Sequence, residues 1–402
     1  MDFINMDKMK IYKLVIALGM IGGAFNSTFS AYGDNPPVNP YQPDPNPIRQ
    51  IAGYEYAWGD EFNVDGVVNP DLWQAEEGFI RGNELQYYRR ENAVVKDGRL
   101  LITGKKERVK NKFYDASSGD YRKNTEYSEY TSASILGKDK RHFLFGRIEV
   151  RARIHPADGA FPAVWTCGYN KNWPSNGEID MMEYYLADLG NGKEPVLTTN
   201  FCVSSDNPHD AWAQNWKSVF TPVTYYQKKD KDWMNKYHVY RMDWDEESIA
   251  LYVDDELRNW INIDEFRNGD GSIAFHNPQF MMLNLAIKNH GAGLVDDYAF
   301  EVDYFRVYQK KPDLVKPSMV EGLKVLKQTA TTCTLQWQPS TDNQGIYRYD
   351  IYKEGGRFVG STTDCEFVID GVSSDDKVKY YVRALDAAGN YSDRCTPLSV
   401  FR

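Results

Sequence analysis

Trp173-Pro174-Ser175-Asn176-Gly177-Glu178-Ile179-Asp180-Met181-Met182-Glu183-Tyr184-Tyr185 sets three carboxylates inside an apolar, aromatic-rich run. Burial disfavours an ionised carboxylate, so acids carried in such a stretch need a partner or a chemical task. On a helix, at about 100° per residue, Glu178 and Glu183 would point about 140° apart. On a strand, Glu178 and Asp180 share a face, and Glu183 joins them only if one extra residue is inserted after Asp180. A β-bulge supplies that residue, and bulges re-aim side chains beside active sites. The stretch therefore reads as a bulged strand carrying three acids on one surface.

Four strand steps separate the two glutamate backbones by about 13 Å, and side chains leaning together bring the carboxyls to about 5 to 6 Å. At that separation one carboxyl can attack a glycosidic carbon while the other serves as acid and base. On spacing alone, a solvated carboxylate cluster on an edge strand fits equally well.

Strand signals extend in both directions. Arg147-Ile148-Glu149-Val150-Arg151-Ala152-Arg153-Ile154 alternates apolar and charged residues, and Ile249, Leu251 and Val253 share one face. No long amphipathic helix competes. The expected fold class is all-β, one antiparallel sheet stacked on another.

Trp-Pro-x-x-Gly-Glu-Ile-Asp-x-x-Glu resembles the active-site signature of glycoside hydrolase family 16 in its bulged, laminarinase-like form. The resemblance spans residues 51–310. Trp58-Gly59-Asp60-Glu61-Phe62 is similar to the opening strand, and Asn83-Glu84-Leu85-Gln86-Tyr87-Tyr88 to the substrate-binding segment. Phe161-Pro162-Ala163-Val164-Trp165 precedes the motif as in the family, and Val302-Asp303-Tyr304-Phe305-Arg306-Val307-Tyr308 matches the closing strand. It implies a jelly-roll β-sandwich with Glu178 as nucleophile, Glu183 as general acid/base and Asp180 tuning the nucleophile. It further implies that Trp165 and Trp173 stack on sugars and that Asn83 and Glu84 hydrogen-bond hydroxyls. His209 falls where the family carries a cleft-facing histidine, and a turn histidine reads equally well. No cofactor is required for catalysis, but the family's structural calcium would fall to Glu61, the carbonyl of Gly98 and Asp303, oxygen donors suited to that ion.

Residues 310–316 read as a short linker, and 317–402 resemble a fibronectin type III domain, a small immunoglobulin-like sandwich. Spacer or docking module is its expected role, with Trp337 and the tyrosines as core. Residues 1–31 read as a signal peptide, Lys8, Lys10 and Lys13 preceding an apolar run too short to span a membrane. Residues 32–50 read as a proline-rich extended linker. Export to the periplasm or medium follows from that reading.

A net charge of −10 argues against nucleic acid or an anionic membrane as the main partner. The expected partner is a polysaccharide, acted on by a monomer. The 14% aromatic content suits both sugar stacking and sandwich packing and separates neither. The five cysteines fit no metal spacing; a disulfide is compatible with export, and buried small hydrophobes are the simpler role.

After Leu283-Asn284-Leu285-Ala286 the chain departs from laminarinases with Ile287-Lys288-Asn289-His290-Gly291, and residues 109–127 and 186–233 are expected to shape the cleft as loops. The reading is an endo-β-glycanase on β-1,3- or mixed-linkage glucan. Open alternatives are an endo-β-galactosidase on agar- or porphyran-like galactans or mucin-type O-glycans, a carbohydrate-binding protein, and an adhesion protein built from two sandwiches.

Overall fold

The computed structural model describes residues 38–82, 84–190, 192–207, 210, 212–288, 297–329, 331–372 and 378–400. The segment read as a signal peptide lies outside them, as do Asn83 and His209. Among the described residues no helix is long and apolar enough to cross a membrane. The α-helices among the described residues are single turns, Tyr121–Asn124 and Val223–Gln227.

Two large sheets form the first sandwich. One runs in the order Glu256–Asn262, Ser248–Val253, His238–Trp244, Gly146–Arg153, Tyr298–Gln309, Leu100–Gly104, Ala93–Val95, Gly66–Val67, with Glu55–Asp60 also paired to Tyr298–Gln309. The other runs Gln214–Pro222, Lys193–Ser204, Glu178–Asp188, Ala160–Gly168, Gln279–Ile287, Ser134–Leu136, Gln74–Ala75. Alternation sends one side chain in two to the shared interior. Ile148, Val150, Phe305 and Val307 from the first sheet meet Ile179, Met181, Phe201 and Leu283 from the second in one fully buried cluster.

Two expectations need correction here. The stretch 186–233 is not one long loop, because it holds the end of the strand Glu178–Asp188, the strands Lys193–Ser204 and Gln214–Pro222 of the sheet that carries the acids, and the helical turn Val223–Gln227. The proline-rich segment is not a free linker over its described part. Arg151 donates to the carbonyls of Gln42 at 2.9 Å and Asn39 at 3.1 Å, Arg153 to that of Tyr41 at 3.2 Å, and Tyr237 N to that of Pro40 at 2.7 Å. Arg49 pairs with Glu149 at 2.5 Å. Proline removes amide donors but leaves carbonyl acceptors, so such a segment can cap a row of guanidinium groups without joining the sheet. This cover explains why Glu149 and Arg151, on the polar side of their strand, are only 0% and 4% exposed.

The second sandwich has a three-stranded sheet, Lys324–Gln328, Thr332–Gln336, Glu366–Asp370, and a four-stranded one, Arg357–Thr362, Ile346–Lys353, Lys379–Asp386, Leu398–Ser399. Trp337, Tyr349, Tyr352, Tyr380 and Tyr381 are buried in its core.

Nor is it a loosely hung spacer. Asn170 of the first sandwich donates to Asp350 Oδ2 at 2.9 Å and accepts from Tyr352 and Tyr391 hydroxyls at 2.9 and 2.6 Å. Arg348 donates to the carbonyl of His276 at 2.6 Å and to Asn277 at 2.7 Å. Gly389, at φ +97°, lies so close that a Cβ there would sit 2.8 Å from Leu144 N. All five cysteines are free, four buried and Cys365 half-buried, so they serve as small packing groups and form no disulfide.

Candidate active site

The strand Glu178–Asp188 lies between Ala160–Gly168 and Lys193–Ser204. Its register against the latter slips after Asp180, which pairs with Asn200, so that Glu183 pairs with Thr198. Two residues, Met181 and Met182, therefore oppose one. Both methionines turn to the core with Ile179 and Tyr184. Glu178, Asp180 and Glu183 remain together on the outer face.

Neighbouring strands supply their donors. Asn200 Nδ2 donates to Asp180 Oδ2 at 2.8 Å and to Glu183 Oε2 at 2.7 Å, and the Thr198 hydroxyl reaches Glu183 Oε2 at 3.2 Å. Trp173, from the loop before the strand, donates its indole N–H to Glu178 Oε2. Asp180 Oδ1 is buried without a donor.

These contacts divide the protons. Burial first, then the charge of Glu178, pushes Glu183 up to about 7, with Thr198, Lys288 and Asn200 pulling the other way. Burial and the charges of Glu183 and Glu178 lift Asp180 well above the usual carboxylate range. Burial raises Glu178 as well, but the Trp173 N–H, a hydrogen bond from Asp180 and the charge of Arg81 all favour its ionised form. All three acids are thus pushed towards binding protons, and the donors aimed at Glu178 favour the negative charge there.

The two tryptophans flank this centre. Trp165 sits opposite Asp180 across the sheet, half-buried. A chain of hydrogen bonds fixes its ring: Trp165 Nε1 donates to Asn284 Oδ1 at 2.6 Å, Asn284 Nδ2 to the Tyr88 hydroxyl at 3.1 Å, and that hydroxyl to Glu84 at 3.4 Å. Glu84 also accepts from Gln86 at 2.7 Å, so it supports the Trp165 side of the site through Tyr88 and Asn284. Trp173 packs against exposed Trp212, ring centroids 6.2 Å apart.

Asn200, Thr198, Arg81 and Trp212 were not legible as site residues. The first two are named only by strand register, which the sequence does not print. The Arg81 guanidinium lies 5.1 Å from the Trp165 ring centroid and pairs with Glu76 at 2.6 Å. The insert at 109–127 forms a short hairpin whose Tyr121 hydroxyl donates to the Arg81 carbonyl. It thus shapes the site by holding Arg81, whereas Lys288, from the divergent segment, lies 4.7 Å from the Phe161 ring centroid.

The calcium expectation does not fit. Glu61 spends both oxygens on Arg306, at 2.8 and 2.7 Å. Asp303 is 3% exposed and pairs with Arg151 at 2.5 Å, its two oxygens also accepting from Asp44 N. Carboxylates neutralised by guanidinium groups do not form an oxygen cage for a cation.

The profile of Glycosyl hydrolases family 16 matches residues 88–304. A β-glucanase of Rhodothermus marinus is 30% identical over 275 residues, covering 64% of this chain and 85% of its own. A structure solved for endo-acting O-glycanases, expressed by prominent members of the human gut microbiota to initiate mucin breakdown, aligns with TM-score 0.58 and 32% identity. That alignment covers 66% of this chain and 94% of the other. The catalytic domain of an endo-1,3-β-glucanase (laminarinase) from Thermotoga petrophila aligns with TM-score 0.52 and 28% identity over 64% of this chain and 98% of its own. With a bulged three-acid strand at the centre of a two-sheet sandwich and a family match over more than half its length, the chain belongs to glycosyl hydrolases family 16 and is a glycoside hydrolase of the endo-1,3(4)-β-glucanase-like kind.

Proposed function

We propose that the chain is a secreted, retaining endo-β-glycanase that cuts internal bonds of a β-1,3- or mixed-linkage β-1,3/1,4-glucan. The observation that carries this reading is the slip between Asp180 and Glu183, which gathers three acids whose surroundings pull their proton affinities apart. Glu178 is the nucleophile: its Oε2 is oriented by Trp173, and its charge is favoured by Asp180 and Arg81. Glu183, protonated up to about pH 7, donates to the leaving glycosidic oxygen as Glu178 bonds to the anomeric carbon. Glu183, now ionised, then takes a proton from water as that water displaces Glu178, giving retention. Asp180 keeps its proton and steadies the carboxylate of Glu178. Trp165 and Trp173 supply stacking surfaces beside the acids, and Asn83 and His209, outside the described residues, remain candidates for hydroxyl contacts.

A second reading, an endo-β-galactosidase on galactans or mucin O-glycans, is supported by the likeness to the O-glycanase structure. For the C-terminal sandwich, the division into three- and four-stranded sheets supports a fibronectin type III-like module, and its polar seam supports a bracing role.

Product analysis on laminarin, mixed-linkage glucan, agarose, porphyran and mucin O-glycans, with Glu178→Gln and Glu183→Gln alongside, tests the reading. Oligosaccharides from the glucans alone, lost in both variants, are expected. Products only from a galactan or mucin keep the mechanism and replace the substrate, and silence on every glycan leaves a binding protein.

A further inference from the structure

Three more carboxylates converge where the connector 310–316 meets the second sandwich. Asp313 belongs to the connector, Asp342 to the turn before the strand Ile346–Lys353, and Asp386 ends the strand Lys379–Asp386. One oxygen of each lies within 4.8 Å of the others. Asp313 and Asp386 are 6% and 1% exposed.

Each acid is fixed through one oxygen by backbone amides. Asp313 Oδ1 accepts from Val315 N at 2.8 Å, Asp342 Oδ2 from Gln344 N at 2.7 Å and Gly345 N at 3.1 Å, and Asp386 Oδ1 from Ala388 N at 2.9 Å and Asn390 N at 2.8 Å. The second oxygens are the unusual ones. Asp386 Oδ2 has the amide of Asn390 at 2.8 Å, but Asp313 Oδ2 and Asp342 Oδ1 are buried and accept no hydrogen bond. Among the described residues no lysine or arginine pairs with any of the three; the nearby cations are taken by other acids, Lys316 by Asp393 and Arg348 by Asp350. Buried acids with vacant lone pairs and no counter-charge are costly unless they take up a proton or coordinate a cation, and three of them converging on one point suit the cation.

We propose that Asp313, Asp342 and Asp386 hold one Ca²⁺ that ties the connector to the second sandwich. The donors are all oxygen, which suits a hard cation rather than zinc. Ligand oxygens about 2.4 Å from a common calcium ion stand at most about 5 Å apart, as these do. Three ligands fall short of the six to eight that calcium takes, so backbone carbonyls or waters complete the shell. The amide-anchored oxygens pre-set the other three, so binding orders little that is not already ordered.

Calorimetric titration of the metal-stripped full chain with CaCl₂ tests this. One ion per chain is expected, at a Kd of about 10⁻⁵ to 10⁻³ M, weakened tenfold or more in Asp313→Asn/Asp342→Asn and unchanged in Glu61→Gln. Thermal unfolding adds a reading that folding defects do not imitate. In EDTA the double variant should melt no lower than the wild type, because it loses buried repulsion. In calcium only the wild type should gain. No calcium heat up to about 10 mM, well above that range, overturns the proposal, as does equal affinity in the double variant. Loss of binding in Glu61→Gln, or a double variant that melts lower in EDTA, overturns it too.

Discussion

Asn200 Nδ2 donates to Glu183 Oε2 at 2.7 Å, from the position paired with Asp180 at the edge of the bulge. The same nitrogen serves Asp180, so one amide holds two of the three acids in place. Asn200→Ala should lower kcat/KM about 10- to 100-fold, the worth of a hydrogen bond to a charged group. A donor to a carboxylate favours its ionised form, so removing it also raises Glu183 further above about 7. The alkaline limb of the pH–rate profile should therefore move up while the maximum falls. A fall in rate with an unmoved limb would assign Asn200 to packing alone.

The wild-type rate should decline as pH rises through about 7, because Glu183 must carry the proton it donates. Stability follows the same group. Its proton affinity is higher folded than unfolded, so its stabilising contribution is complete below the unfolded value near 4.5 and is lost as pH rises towards about 7. Glu183→Gln removes that dependence. The variant should gain on the wild type by about 2 kcal/mol between pH 4.5 and 7, a figure reduced because the side chain is half-buried. Denaturant unfolding at the two pH values measures it, and a constant difference would show that Glu183 does not change its proton there.

Trp173→Phe keeps an aromatic ring but deletes the N–H that Glu178 accepts, together with part of the stacking surface. Glu178 then binds its proton more tightly, so the acidic limb should shift upward and kcat/KM should fall about tenfold or more. Trp212→Ala removes the neighbouring exposed ring without touching Glu178, and should raise KM on long glycans with both limbs in place. Limb shifts in Trp212→Ala would break this division of roles.

The bulge was legible because Glu178, Asp180 and Glu183 cannot share a face on a regular strand, a constraint that acts within one segment. The two-sheet fold was legible from Ile148, Val150, Ile249 and Leu251, which all reach the core as their alternation required. What failed depends on partners distant in sequence. Glu149 and Arg151 read as solvent-facing, and only the docked segment 38–50 shows why they are not. Asn200 and Thr198 lie in a strand with nothing unusual in its composition, and only its register names them. Glu61 and Asp303 fit a ligand set by residue type until Arg306 and Arg151 are seen beside them. Charge pairing across a sheet leaves no trace in local pattern.

Asn170 lies three residues before Trp173, is 4% exposed, and satisfies Asp350, Tyr352 and Tyr391 of the second sandwich. Asn170→Ala takes the partner of the Tyr352 hydroxyl away in a buried seam, while the Tyr391 hydroxyl and Asp350 Oδ2 keep each other at 2.5 Å, and a partly satisfied network is worse than none. The cost should be about 1 to 3 kcal/mol, seen as a lower melting temperature in calorimetry. The seam also joins the loop that carries Trp173 to a separate hydrophobic core. Loosening it should let the indole drift from Glu178, so the acidic limb should rise as in Trp173→Phe, though by less. That second effect distinguishes bracing from mere adhesion. If Asn170→Ala lowers the melting temperature and leaves the whole pH profile in place, the second sandwich stabilises the first without tuning its chemistry.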